Sequence, residues 1–185
     1  MTPPGAASTR PASEAELVRR TARWLEGEGY RTYANPDGAD YFDLVARRGE
    51  EVGLVEAKLG RPRAVLGQAL RRRAWGDWVA VVLPSRQSAE RLVGADRRPR
   101  AEPVGVWWLD GERVVELRPA RPFDRGDDDP FAPTRARFRT VLDRIDRGEL
   151  PSGIAWEGLG AELRRASGGR RFAEWRLDER FEQRG

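Results

Sequence analysis

A chain of 185 residues has room for one domain of ordinary size plus a small appendage, and 39% hydrophobic with 35% charged residues is a globular composition with a heavily charged surface. The absence of cysteine and histidine excludes disulfides, thiolate catalysis, Cys-ligated zinc and Ser-His or Cys-His chemistry, so any metal must be held by oxygen. The net charge of +4 is uneven: ten arginines between Arg61 and Arg100 stand against Asp77, Glu90 and Asp96, a stretch that either attracts a phosphate backbone or forms a solvated face. There is no long apolar run and no basic segment leading into one, so the expectation is a cytoplasmic protein without a membrane span.

In chain order, residues 1–12 are rich in Pro, Ala and Gly and read as a disordered tail. Ser13 with Glu16 forms a capping-box pattern, and Leu17, Thr21, Trp24 and Leu25 recur at helical spacing until Gly27 and Gly29. Strands are expected over residues 30–34, 41–47 and 52–59, separated by the turn chemistry of Asn35-Pro36-Asp37-Gly38 and by a turn around Gly49. Pro62 suits the first turn of a helix whose apolar side is Val65, Leu66, Ala69 and Leu70, with Arg71, Arg72 and Arg73 at its end. The valine-rich run over residues 77–84 reads as a strand covered on both faces. A helix over 85–93 and a hairpin turning at Asp110-Gly111 follow.

The organisation expected is therefore an α/β domain over residues 13–120, with αβββαβ order, a mixed central sheet flanked by helices, and an extra hairpin. Residues 121–133 lack periodicity and read as a linker, in which Asp127, Asp128 and Asp129 are a solvated spacer. Residues 134–185 read as a small helical appendage, with Phe138, Val141, Leu142 and Ile145 on one helix face. Trp107 and Trp108 are adjacent in a strand and face opposite ways, one to the core and the other free to stack on a base or a partner.

Chemistry concentrates in the second and third strands. Lys58 is the chain's single lysine among 34 basic residues, which marks a position where positive charge alone does not suffice. Residues two apart in a strand share a face, so Glu56 and Lys58 are expected to project together, and strand pairing can bring Asp43 beside them. An ordinary cross-strand salt bridge is one reading. The apolar neighbours Phe42, Leu44, Val45, Leu54 and Val55 argue against it, because they bury the hairpin and make unpaired charge costly.

Asp43 followed by Glu56-Ala57-Lys58, within αβββαβ order, resembles the PD-(D/E)XK nuclease superfamily, which includes restriction endonucleases and archaeal Holliday-junction resolvases. The resemblance covers about residues 13–84; the proline of the name is absent, and Phe42 stands in its place. It implies a restriction-endonuclease-like fold and a metal-dependent hydrolase acting on DNA phosphodiesters. Asp43, Glu56 and the backbone carbonyl of Ala57 would hold Mg²⁺, with Mn²⁺ able to substitute. Lys58 would contact the attacking water and the scissile phosphate, Gln68 matches a glutamine of resolvase-like members, and a first-helix glutamate, Glu14 rather than the capping Glu16, would complete the catalytic set. The other reading of Gln68 is a polar residue on a half-exposed helix. Arg61, Arg63, Arg71, Arg72 and Arg73 flank this site as a DNA-binding set, and the appendage would help bind DNA or form a homodimer. The alternative is a nuclease-fold module that binds nucleic acid or a protein partner without cutting.

Overall fold

The computed structural model describes residues 10–34, 42–60, 62–96, 104–126 and 128–149. Along these runs the elements are α1 (Glu14–Gly27), β1 (Arg31–Ala34), β2 (Leu44–Arg48), β3 (Glu51–Ala57), α2 (Pro62–Arg72), β4 (Trp78–Leu83), α3 (Arg86–Ala95), β5 (Gly105–Asp110), β6 (Arg113–Arg118) and α4 (Ala132–Asp146). The protein is α/β, and the αβββαβ order followed by a helix and a hairpin is as expected. The turn over residues 35–38 and the expected elements beyond Glu149 lie outside the described residues.

The chain divides into two compact units. The first comprises residues 1–38 and 42–129, the second residues 39–41 and 130–185. In the first, six strands form one mixed sheet in sequential order, β1-β2-β3-β4-β5-β6. β1, β2 and β3 are an antiparallel meander, β3, β4 and β5 run parallel, and β6 returns antiparallel on β5. The parallel steps require crossovers, and α2 and α3 supply them. In the second unit, α4 buries Thr134, Arg135, Phe138, Val141 and Leu142, and Gly148 follows it at a φ of 71°.

Local chemistry explains the boundaries. The Ser13 side chain accepts the Glu16 N–H at 3.1 Å and starts α1, while the Glu16 carboxylate accepts the Ala12 N–H at 2.7 Å and pairs with Arg20. Ser85 caps α3 in the same way. One face of the sheet is sealed by α1, whose Leu17, Val18, Ala22 and Leu25 pack with Leu44, Ala46, Val55, Ala57, Ala80 and Val82. Strand alternation then turns Leu54, Glu56, Val79 and Val81 to the other face, where α2 and α3 pack against the sheet and each other.

Trp24, Trp107, Trp78 and Tyr30 make a continuous row of ring contacts on the α1 side, edge-to-face at both ends and tilted between Trp107 and Trp78, with ring centroids 5.3, 5.8 and 5.8 Å apart. That row dictates a glycine in β3. A Cβ on Gly53 would stand 1.9 Å from Cζ2 of Trp78, its parallel partner. Trp107 is the core member of the tryptophan pair and Trp108 is half-buried.

Residues 119–126 have no helix or strand, but they are not a loose spacer. The Phe123 N–H donates to the Asp77 carbonyl at 2.9 Å, and Arg125 Nη2 donates to the carbonyls of Arg73 and Gly76 at 2.6 and 2.5 Å. Arg125 also pairs with Asp129 at 3.6 Å, so one member of the acidic triplet is an ion-pair partner. The final residues of the expected linker, Ala132 and Pro133, form the first turn of α4.

Candidate functional site

The carboxyl ends of parallel strands are where open α/β sheets place ligands, and here that end of β3 meets the N-terminus of α1 and the last turn of α2. Asp43 immediately precedes β2 rather than lying within it. Continuing the Leu44↔Val55 register by one residue sets it opposite Glu56. Its Oδ2 accepts the Ala57 N–H at 2.7 Å, which fixes the carboxylate across the end of the hairpin.

β3 stops at Ala57, so Lys58 lies one residue past the strand. Its own N–H extends the ladder to the Val82 carbonyl of β4 at 3.2 Å. Beyond the strand end, Lys58 stays within electrostatic reach of both Asp43 and Glu56. The Lys58 ammonium donates to Glu14 Oε2 at 3.0 Å, and Glu14 Oε1 accepts the Leu59 N–H at 3.2 Å. Of the two glutamates in the first turn of α1, Glu14 reaches the site and Glu16 caps the helix.

Glu56 is only 4% exposed and faces α2. Its Oε1 accepts from Arg72 Nε at 2.7 Å, and the Arg72 guanidinium carbon lies 5.2 Å from the centroid of the Phe42 ring. Five charged groups thus meet in three contacts: Asp43 on a backbone amide, Glu14 with Lys58, and Glu56 with Arg72.

The electrostatics follow from burial. Desolvation raises the Asp43 pKa and is partly offset by the Ala57 N–H and the Lys58 charge. It raises Glu56 as well, against the pull of Arg72 and with a further push from Asp43. For Lys58 desolvation is the largest single effect and acts downward, but the Glu14 hydrogen bond and the charges of Asp43, Glu14 and Glu56 together outweigh it, so its pKa is raised. Lys58 is therefore an ammonium at neutral pH, a donor and not a base.

The remaining sequence candidates divide. Gln68 is half-buried on α2, one helical turn before Arg72, and makes no hydrogen bond to another described residue. Arg71 is exposed and Arg73 half-buried, whereas Arg72 is turned inward onto Glu56. Arg61 and the side chain of Arg63 lie outside the described residues. The Arg72–Glu56 pair is absent from the expectations, although a signal for it exists: Val65, Ala69 and Arg72 are spaced i, i+4, i+7, and Val65 and Ala69 are fully buried.

For a metal, the donor set is two carboxylates, each with one oxygen that no described group binds. Two carboxylates suit an oxygen-seeking ion that keeps several waters, as magnesium does, better than an all-protein cage. No group of three or more Asp, Glu, His or Cys side chains able to hold a metal occurs among the described residues.

No helix among the described residues is long and apolar enough to cross a membrane. No family model matches the chain, and no curated protein matches it. Among solved structures, the SPO1766 protein of unknown function from Silicibacter pomeroyi is similar at 15% identity and a TM-score of 0.45, over 77% of this chain and 97% of that one.

Proposed function

We propose that the chain is a metal-dependent nuclease of the PD-(D/E)XK type, with a restriction-endonuclease-like core, hydrolysing DNA phosphodiester bonds. The observation that carries the reading is the setting of Asp43 opposite Glu56 across the hairpin end, with the chain's single lysine two residues beyond Glu56 and held charged by Glu14. Asp43, Glu56 and the Ala57 carbonyl would hold Mg²⁺, or Mn²⁺ in its place. When bound, such an ion supplies Lewis acidity to the phosphoryl group and makes a nucleophile of water near neutral pH. The chain's own groups do the rest. The Ala57 N–H holds the Asp43 carboxylate in place, and the Lys58 ammonium donates to the attacking water and the scissile phosphate, offsetting charge that develops there. Arg71, Arg73 and the neighbouring arginines attract the phosphate backbone.

A second reading draws on a specific observation. Lys58 and Arg72 already answer Glu14 and Glu56 within the protein, an arrangement that also suits a nuclease-fold module binding nucleic acid or a protein partner without cutting it. A panel of labelled duplex, junction, flap and single-stranded DNA, with RNA counterparts, incubated with Mg²⁺ or Mn²⁺ separates the two. Cleavage that disappears in Asp43→Ala supports the enzyme. Binding without cleavage in any metal supports the module.

A further inference from the structure

Resting on the nuclease reading, we propose that Arg72 is a built-in competitor for the metal site: its guanidinium occupies Glu56 in the metal-free protein, and a divalent cation binds by displacing it, which frees the arginine for a nucleic-acid phosphate. Three observations lead there.

The first is what Glu56 needs. A carboxylate 4% exposed requires a cation, and Arg72 Nε at 2.7 Å supplies one. A dication at the same carboxylate would supply a stronger one and repel the guanidinium beside it.

The second is how Arg72 is held. The contact to Glu56 is made through Nε, and no described residue takes a hydrogen bond from the terminal nitrogens of the fork. The guanidinium rests on Phe42 and its side chain is 24% exposed, so a route to solvent is open. An uncommitted planar fork beside a site for phosphodiester chemistry matches phosphate, which arginine binds through two parallel hydrogen bonds.

The third is the charge balance. Glu14, Asp43 and Glu56 face Lys58 and Arg72, three negative groups against two positive ones. The site is near neutrality without metal. Adding a dication while both cations stay in place reverses its sign, whereas release of Arg72 restores the balance and presents a positive group to the substrate. Arg71 and Arg73 carry the same charge on the same turn but do not reach Glu56, so the role belongs to Arg72 alone among the three.

Calorimetric titration of the full chain with Mn²⁺ alone, without nucleic acid, tests this. Arg72→Gln removes the competitor and is expected to bind Mn²⁺ at least about tenfold more tightly than the unsubstituted protein, an effect that a positive charge in contact with a metal ligand readily exerts. Arg71→Gln should stay within about threefold, since an exposed charge is screened. Arg72→Lys keeps the charge and gives Glu56 a partner, so it guards against misfolding of the glutamine variant and should also stay within about threefold. Equal Mn²⁺ affinity in Arg72→Gln and the unsubstituted protein, or a tenfold gain in Arg72→Lys, overturns the competitor role and leaves the nuclease reading standing. If neither the unsubstituted protein nor Arg72→Gln binds Mn²⁺, both fall together.

Discussion

β2–β3 and β5–β6 are both tight antiparallel hairpins, and their turn glycines, Gly49 and Gly111, share a φ of 62°. One lies within the sheet and the other closes its edge. At the edge, Glu112 is largely exposed and pairs with Arg23 at 2.9 Å and Arg20 at 3.4 Å, while Val115 and Leu117 are 37% and 39% exposed. Within the sheet, Glu56 is sealed under α2 and Asp43 is held by a backbone amide. The exposed Glu112–Arg23 pair contributes about 0–1 kcal/mol, and buried Arg20 keeps its second partner Glu16 if Glu112 is lost. A buried carboxylate whose partner is removed costs about 3–5 kcal/mol. The same turn chemistry therefore builds one hairpin whose turn carries an exposed glutamate and one whose strand end carries buried carboxylates that must be answered, and the second carries the candidate site.

The comparison breaks most visibly at the carboxylates. Glu56→Ala should lower Mg²⁺-dependent cleavage by at least about a thousandfold, the scale of losing a principal electrostatic contact, whereas Glu112→Ala should cut at the unsubstituted rate; single-turnover assays on one DNA compare them. Next come the strand glycines. Gly53→Ala drives a Cβ into the Trp78 ring and should cost about 3 kcal/mol in chemical denaturation. Gly105→Ala sets a Cβ 2.8–2.9 Å from the Cβ, Cα and backbone nitrogen of Ala120, which packs against the core, and should cost about 2–3 kcal/mol.

A smaller effect is the pH dependence, whose direction the edge hairpin shares through Glu116 on β6, also raised by desolvation. Burial raises Asp43 and Glu56, so the folded protein keeps protons that the unfolded chain releases. Stability without metal should then fall as pH rises from the ordinary carboxylate range through the raised values. Asp43→Asn can still accept the Ala57 N–H; its melting temperature in chelator should exceed that of the unsubstituted protein at neutral pH and change less with pH. Smallest of all, Leu117→Thr on the exposed edge should alter stability by no more than about 0.5 kcal/mol.

Much of the fold was legible because it is locally encoded. Ser13 and Ser85 are caps, Pro62 begins α2, and the alternation and turn glycines set the meander and the final hairpin. The meeting of Glu14 with Lys58 was half legible: two glutamates stand in the first turn of α1, and packing decides which one faces the sheet. What stayed hidden depends on helix phase or on contacts distant in sequence. Arg71, Arg72 and Arg73 read as one basic run, and only the phase set by Val65 and Ala69 distinguishes the member that turns onto Glu56. The Trp78 indole N–H donates to Glu51 at 2.6 Å, and Arg125 clasps the turn after α2; neither leaves a local pattern. Gln68 is singled out by resemblance alone, and no local pattern of the sequence bears on its role.

The central claim is that Lys58 acts as a positioned ammonium and not merely as a positive charge, and Lys58→Arg tests it most directly. Arginine preserves the charge toward Glu14, but its planar fork cannot place one compact donor beside an attacking water. Misplacement by about 1 Å costs on the order of a hundredfold in rate. Single-turnover cleavage of saturating DNA should therefore slow by at least that factor in Lys58→Arg, while a binding titration on the same DNA gives nearly unchanged affinity. Cleavage at the unsubstituted rate would contradict the account and return Lys58 and Glu14 to the status of an ordinary ion pair.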